Sequence, residues 1–284
     1  MAIFQNQATL SYAGNVTVSN VVTGELQQSI AVAKYTASET YTVGEVLTYV
    51  VSLLNTGATP LTELTVTDDL GAYTRDGVAV VPLDYVAGSL VYYVDGVRQG
   101  APAVTDEDPL TVTGVTVPGG GNAFLVYQAR VNEFASPEAG AAITNTVTVT
   151  GTALSTPVEA RETVGAASEA YLTIDKSLSP TTVTEGDRLT YTFVIRNFGN
   201  TPVVATDDAA VTDTFDPILT DLAVTFNGVA WAEGTQYTYD EATGLFATVP
   251  TNVTVPAATY TRNPATGAWT VVPGVSTLVV TGTV

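Results

Sequence analysis

Short runs of alternating apolar and polar residues dominate this chain, punctuated by Gly, Pro, Asn and Asp. Alternation puts every second side chain on one face, which is the period of a half-buried β-strand. No segment holds a helical period over roughly 11 residues, so the pattern predicts strands throughout. The first stretch is the plainest case. Phe4, Asn6, Ala8, Leu10 and Tyr12 fall on one face, and Gln5, Gln7, Thr9 and Ser11 on the other. The turn signal Ala13-Gly14-Asn15 precedes a second alternating run, Val16–Val22. This opening has neither the basic start nor the continuous apolar centre of a secretory leader.

The alternation recurs on a larger scale. The segment from Ile30, IAVAKYTASETYTVGEVLTYVVSLLNTGATP, returns from Leu172 as LTIDKSLSPTTVTEGDRLTYTFVIRNFGNTP. Gly44, Leu47, Thr48, Tyr49, Asn55, Gly57 and Pro60 match Gly186, Leu189, Thr190, Tyr191, Asn197, Gly199 and Pro202 without a gap. Leu64–Leu70 (LTVTDDL) then matches Ala209–Phe215 (AAVTDTF), and the run ending at Val131 matches the run ending at Val284. Such self-similarity marks tandem units. Short strands between turn signals predict an all-β chain of two immunoglobulin-like β-sandwiches. The expected division is donor strands over 1–25, a complete sandwich over 26–168 and an incomplete one over 169–284, with Gly165–Glu169 as linker.

The second copy is incomplete in a specific way. The first continues into AAITNTVTVTGTALSTPVEARETV, two further strands, for which the second offers no counterpart. A sandwich short of two strands exposes core residues and an unpaired sheet edge. Phe4–Ser11 (FQNQATLS) aligns with Ile143–Thr150 (ITNTVTVT), Asn6 falling on Asn145, and Val18–Thr23 resembles the run that closes at Val164. The expectation is that the N-terminal strands supply the missing pair, with Phe4, Ala8, Leu10 and Tyr12 as the donor face. A domain of this size is roughly 35–40 Å across, and the connection Glu25–Gln28 spans at most about 14 Å. With the units in line, the acceptor is therefore a neighbouring chain. Strand addition of this head-to-tail kind builds an open filament unless its rotation closes a ring. The competing expectation is an edge hairpin of the first domain or an unordered tail.

Composition narrows the chemistry. Nine basic residues against 28 acidic ones give a net charge of −19, which argues against nucleic acid or an anionic membrane as partner. Cys and His are absent, which removes disulfides, thiolate chemistry, and the commonest metal ligand and general base. No apolar run approaches the roughly 18 residues of a membrane-spanning helix. The acidic runs Asp106-Glu107-Asp108 and Asp207-Asp208 lack the spacing of a calcium-binding loop. Neither metal nor cofactor is expected, and no catalytic constellation of an enzyme is visible.

Seven of the nine basic residues are Arg, leaving two lysines, Lys34 and Lys176, at equivalent places in the repeat. Parity aims both inward: Ile30, Val32 and Lys34 share a face, as do Leu172, Ile174 and Lys176. Asn145 shares a face with Ile143 and Val147, Asn6 with Phe4 and Ala8, Asp68 with Leu64 and Val66, and Asp213 with Val211 and Phe215. Six polar residues of three types are thus expected to be buried in matching places. A buried Lys must be paired or neutralised. An amine held against a carboxamide beside a protonated carboxyl can form a Lys–Asn isopeptide bond and release ammonia, because fixed geometry replaces a bimolecular encounter. A buried Lys–Asp ion pair hydrogen-bonded to Asn is the alternative.

Three motifs carry a family resemblance: the GDxLTYT and NxGNTP-like core after the lysine, the VTD run, and the ITNTVTV close. On these, both copies resemble the conserved repeat of unknown function, number eleven in its series, found in bacterial and archaeal surface proteins. The MAIFQNQATLSY opening also resembles clostridial surface or spore-associated proteins. Related pilin and adhesin sandwiches of Gram-positive bacteria carry intramolecular isopeptides between a first-strand Lys and a last-strand Asn, beside a buried acid. The resemblance therefore implies Lys34–Asn145 with Asp68 in the first unit. By extension it implies Lys176 with Asn6 of the next chain and Asp213. The function expected is a self-polymerising structural subunit of an extracellular fibre on a cell or spore surface. An adhesin or stalk module that binds a ligand through its loops is the alternative.

Overall fold

The computed structural model describes residues 2–26 and 29–284. The described residues form an all-β protein whose only helical element is a 3-10 turn at Ala205–Asp207. Contacts divide the chain into two compact units. One comprises Met1–Ser136, Ala142–Ala166 and Pro264–Gly267, and the other Pro137–Ala141, Ala167–Asn263 and Ala268–Val284.

The N-terminal arm is a long hairpin. Strands β1 (Ala2–Asn6) and β2 (Thr9–Tyr12) run out, and β3 (Asn15–Val18) and β4 (Val22–Leu26) run back. Thr9 faces Val18 and Phe4 faces Gly24. Ala13 and Gly14 both take positive φ, 44° and 82°, the two-residue turn that matches strand twist. The return strand is not the continuous run Val16–Val22 that alternation predicts. Ser19 interrupts it: its hydroxyl accepts the Ala8 N–H and its own N–H bonds the Ala8 carbonyl, both at 2.9 Å. This extra residue bulges β3–β4 while β1–β2 keeps one parity. Among the described residues the arm's strands pair only with one another. Phe4, Leu10, Tyr12, Val16 and Val18 are each more than half exposed.

The first unit continues with β5 (Ile30–Thr36), β6 (Thr40–Tyr41), β7 (Val46–Asn55), β8 (Leu61–Asp68), β9 (Tyr73–Arg75), β10 (Val78–Val80), β11 (Leu83–Tyr85), β12 (Val91–Val94), β13 (Val97–Gln99), β14 (Ala103–Glu107), β15 (Leu110–Val117), β16 (Asn122–Val131), β17 (Ala142–Thr150) and β18 (Val158–Ala166). One sheet runs β13-β12-β16-β7-β5, the other β14-β15-β8-β17-β18-β6. Their inner faces interdigitate as in a sandwich core. Leu47, Tyr49, Val51 and Leu53 from β7 meet Leu64, Val66, Val147 and Val149 from the opposite sheet, all essentially inaccessible. Strand β17 is central: Val147 faces Asp68 and Val149 faces Val66 on one side, and Asn145 faces Glu162 of β18 on the other. The β18 strand extends through Ala166, so the connection expected to begin at Gly165 starts later.

The second unit holds β19 (Leu172–Ser179), β20 (Arg188–Asn197), β21 (Thr212–Thr214), β22 (Thr220–Phe226), β23 (Val229–Trp231), β24 (Tyr237–Asp240), β25 (Leu245–Thr248), β26 (Thr259–Arg262), β27 (Trp269–Val272) and β28 (Gly274–Thr283). Its larger sheet, β19-β20-β28-β22-β23, repeats the order β5-β7-β16-β12-β13 of the first unit, and β21-β25-β24 packs opposite. The matched asparagines have the same structural task in both units. Asn55 receives the Gly57 N–H and donates to the Thr59 carbonyl, as Asn197 does with Gly199 and Thr201. These residues fold the turn after the second long strand rather than form a site.

Among the described residues the second unit has no counterpart of β17–β18. Strand β21 pairs with β25 on one side only. The inward face of β19 is consequently open: Leu172 and Ile174 are 39% and 53% exposed, whereas Ile30, the equivalent of Leu172, is 6% exposed. Beside Leu172 and Ile174 lies a cleft of about 160 Å³, lined also by Ile195, Ala209, Ala210 and Val211.

Candidate functional site

In the first unit the three residues expected to meet lie in one buried cluster. Strand β5 brings Lys34 inward from the sheet edge, where β17 and β18 cover it. Lys34 is 3% exposed, Asp68 2% and Asn145 wholly buried. The Lys34 ammonium is ion-paired with Asp68 Oδ2, which also accepts the Tyr127 hydroxyl. Asp68 Oδ1 accepts the Leu70 N–H at 3.0 Å. The amine sits over two stacked rings, 5.0 Å from the centroid of Tyr49 and 6.0 Å from that of Tyr127.

Burial dominates the electrostatics. It pulls the Lys34 amine below its ordinary 10.5, and the attraction of Asp68 offsets only part of that. Burial and the neighbouring Asp68 charge likewise hold the Tyr49 and Tyr127 hydroxyls above their ordinary value. The Asn145 amide lies beside both hydroxyls and favours their ionised forms. Yet neither its nitrogen nor its oxygen makes a hydrogen bond of normal geometry, and the Tyr49 hydroxyl is also unpartnered. A buried carboxamide with both ends unsatisfied is costly. The two tyrosines beside it also flank the Lys34 amine, and Tyr127 donates to Asp68. Of the alternative arrangement, the buried Lys34–Asp68 ion pair is present and the hydrogen bond from Asn145 is not.

The second unit holds two thirds of the same set. Lys176 on β19 is ion-paired with Asp213 on β21 and lies 4.4 Å from the centroid of Tyr191. Phe193 and Phe215 flank it at 5.6 Å. The expectation that Lys176 is buried like Lys34 does not hold in the single chain. Its side chain is 40% exposed and that of Asp213 18%, because no strand pair covers them. Asp213 Oδ2 has the Lys176 ion pair and no further partner, and the register neighbour of Asp213 is Phe246 of β25. Asn6, the expected partner, is on β1 of the arm and exposed.

The two tyrosines around Lys34 were not singled out by sequence reasoning. Parity held the signal, since Tyr49 shares the inward face of Leu47 and Val51. The repeat also shows how the second site is rebuilt. Val280 stands where Tyr127 stands, and Phe215, in place of Leu70, stacks on Tyr191 at 4.8 Å.

No protein-family model and no curated protein sequence matches this chain. Among solved structures it is similar to BcpA, the major pilin subunit of Bacillus cereus, at 15% identity over 96% of this chain and 73% of that one, with a TM-score of 0.36. It is also similar to the pilus backbone protein RrgB from Streptococcus pneumoniae, at 13% identity over 86% of this chain and TM-score 0.34. A third is a family 123 glycoside hydrolase from Clostridium perfringens, at 7% identity over 49% of this chain and TM-score 0.32. The chain spans 55% of the RrgB chain and 27% of the hydrolase chain. Likenesses this distant carry no argument about activity. No helix among the described residues is long and apolar enough to cross a membrane.

Proposed function

We propose that this protein is the structural subunit of an extracellular fibre, on a cell or spore surface, in which the arm of one chain closes the second sandwich of the next. One observation carries the reading. Among the described residues the second unit has no counterpart of the strand pair that covers Lys34 in the first, and the arm is a hairpin whose parity and asparagine match that pair. The docked register follows from the first unit, where Val147 faces Asp68 and Val149 faces Val66. Ala8 then faces Asp213, Leu10 faces Val211, and Asn6 comes over Lys176. The contact is heterologous, so it propagates head to tail. Membership of the conserved-repeat surface family belongs to the same proposal.

The covalent step is the same in both units. The neutral Lys34 Nζ attacks Asn145 Cγ, a new C–N bond forms, and the bond from Cγ to the amide nitrogen breaks. Asp68 relays a proton from the amine to the departing nitrogen, which leaves as ammonia. In the fibre, Lys176 attacks Asn6 of the incoming arm with Asp213 in the relay, which joins subunits covalently. The reaction needs no cofactor, since the sandwich holds the groups together. The test is a boiled denaturing gel of the full-length protein together with light scattering. A ladder is expected, and a chain lacking residues 1–25 is expected to stay monomeric with its first unit folded. A single band from a solution that scatters as monomer contradicts the proposal.

A further inference from the structure

We infer that the arm is sized to enter the second sandwich and to be refused by the first, with Tyr12 and Ala209 as the pair that decides. The inference rests on the strand-donation reading above and adds which residues choose the acceptor. In the first unit β17 is followed by Gly151, and a Cβ at that position would stand 2.6 Å from Leu64 Cδ2. Leu64 is fully buried, so a side chain at position 151 would have to displace the Leu64 methyl inside a packed core. Gly151 does not take a positive φ, so the restriction is one of space alone.

The repeat reverses both partners together. Ala209 stands in the place of Leu64, and Tyr12 of the arm stands in the place of Gly151. A large–small pair becomes a small–large pair. The missing Leu side chain is part of what opens the cleft beside β19, which Ala209 lines with Leu172, Ile174, Ile195 and Val211. The register that sets Leu10 against Val211 sets Tyr12 against Ala209. A tyrosine suits such a cleft, because its ring is apolar and its hydroxyl can remain at the wet rim.

A second exchange lies next to the ion pair. Val51 is the register partner of Lys34, and Val147 that of Asp68. Their counterparts are the larger Phe193 and, in the arm, the smaller Ala8. Volume added on the acceptor is again removed from the donor.

Charge makes the same choice of occupant. Two chains of net charge −19 repel one another. Between Met1 and Gly24 the arm has no Asp, Glu, Lys or Arg, and the cleft lining has none either. The arm, residues 2–26, also has the length of one side of a stable interface, roughly 20–30 residues. Presented to the first unit, the same arm would drive the Tyr12 ring into Leu64. Subunits therefore do not exchange hairpins through their first sandwiches.

The test is a size-swap cycle in the full-length chain, read as the protein concentration at which half the chains assemble by light scattering. Ala209→Leu restores the first unit's residue, so the fold is retained, which circular dichroism checks. It is expected to raise that concentration on the order of tenfold or more, the effect of overpacking a fitted site. Tyr12→Gly alone weakens assembly by leaving the cleft unfilled. The double variant Tyr12→Gly/Ala209→Leu recreates the Gly151–Leu64 pair and is expected to assemble better than Ala209→Leu alone. Normal assembly by Ala209→Leu, or a double variant no better than Ala209→Leu, overturns the inference while strand donation stands. Failure of the wild-type chain to assemble overturns both.

Discussion

Asn145→Ala in the first unit separates a covalent lock from a buried polar trio by sign as well as size. Neither amide atom of Asn145 has a hydrogen-bond partner. Without a bond, the substitution removes an unsatisfied buried group, a relief of about 1–3 kcal/mol. It leaves a small cavity that costs about 1 kcal/mol. Stability then stays level or rises. With a Lys34–Asn145 bond, the cross-link closes a loop on the order of 100 residues, for which chain entropy gives about 4–5 kcal/mol by analogy with a disulfide. A unit of this size shifts by roughly 3 °C per kcal/mol. The variant should therefore melt about 10–15 °C lower by scanning calorimetry. Intact mass supplies the second reading: with the bond the wild-type protein should be one ammonia short of its sequence, and the variant should not. A variant melting within about 3 °C of wild type, with the wild type at full mass, refutes the covalent lock.

Tyr127→Phe removes a donor from Asp68, a charge-assisted bond worth about 1.5–3 kcal/mol, and should slow ammonia loss after refolding, followed by mass against time. Asn6→Ala should leave fibres visible by light scattering that boil down to a single monomer band, since docking survives and the cross-link does not. Gly14→Val forces a β-branched residue to φ +82° at a cost of about 1–2 kcal/mol; it should frustrate the arm's turn and weaken assembly several-fold. In the Asn145→Ala variant Lys34 remains a free amine whose pKa burial holds below 10.5. Between the folded value and 10.5 the unfolded chain binds more protons, so stability rises with pH across that window and is flat below it. The buried tyrosines oppose this only above their ordinary 10.0. Urea unfolding from neutral pH upward measures the slope, and a falling slope below that value contradicts the assignment.

Parity made much of the first site legible. Once β5, β8 and β17 are read as strands, period two alone sends Lys34, Asp68 and Asn145 inward. It cannot say whether an inward face is covered, which is why Lys176 is half exposed although its pattern is that of Lys34. Alternation also cannot register a side chain that bonds its own strand partner, as Ser19 does in breaking the run from Val16 to Val22. The tyrosines beside Lys34 read as ordinary strand filler, because their role depends on two strands, β7 and β16, stacking their rings across a sheet. That the described residues of the second unit hold no counterpart of β17–β18 was legible for a different reason: a repeat compares the chain with itself, so a strand pair present in one copy stands out against the other.

The most direct test of strand donation is electron cryomicroscopy of the assembled full-length protein, at a resolution that traces side chains. The account predicts the arm of each subunit laid antiparallel along residues 209–214 of the next, Ala8 opposite Asp213, with continuous density from Asn6 to Lys176. A cleft beside β19 left empty in the fibre, or filled by the same chain's own arm, would contradict it.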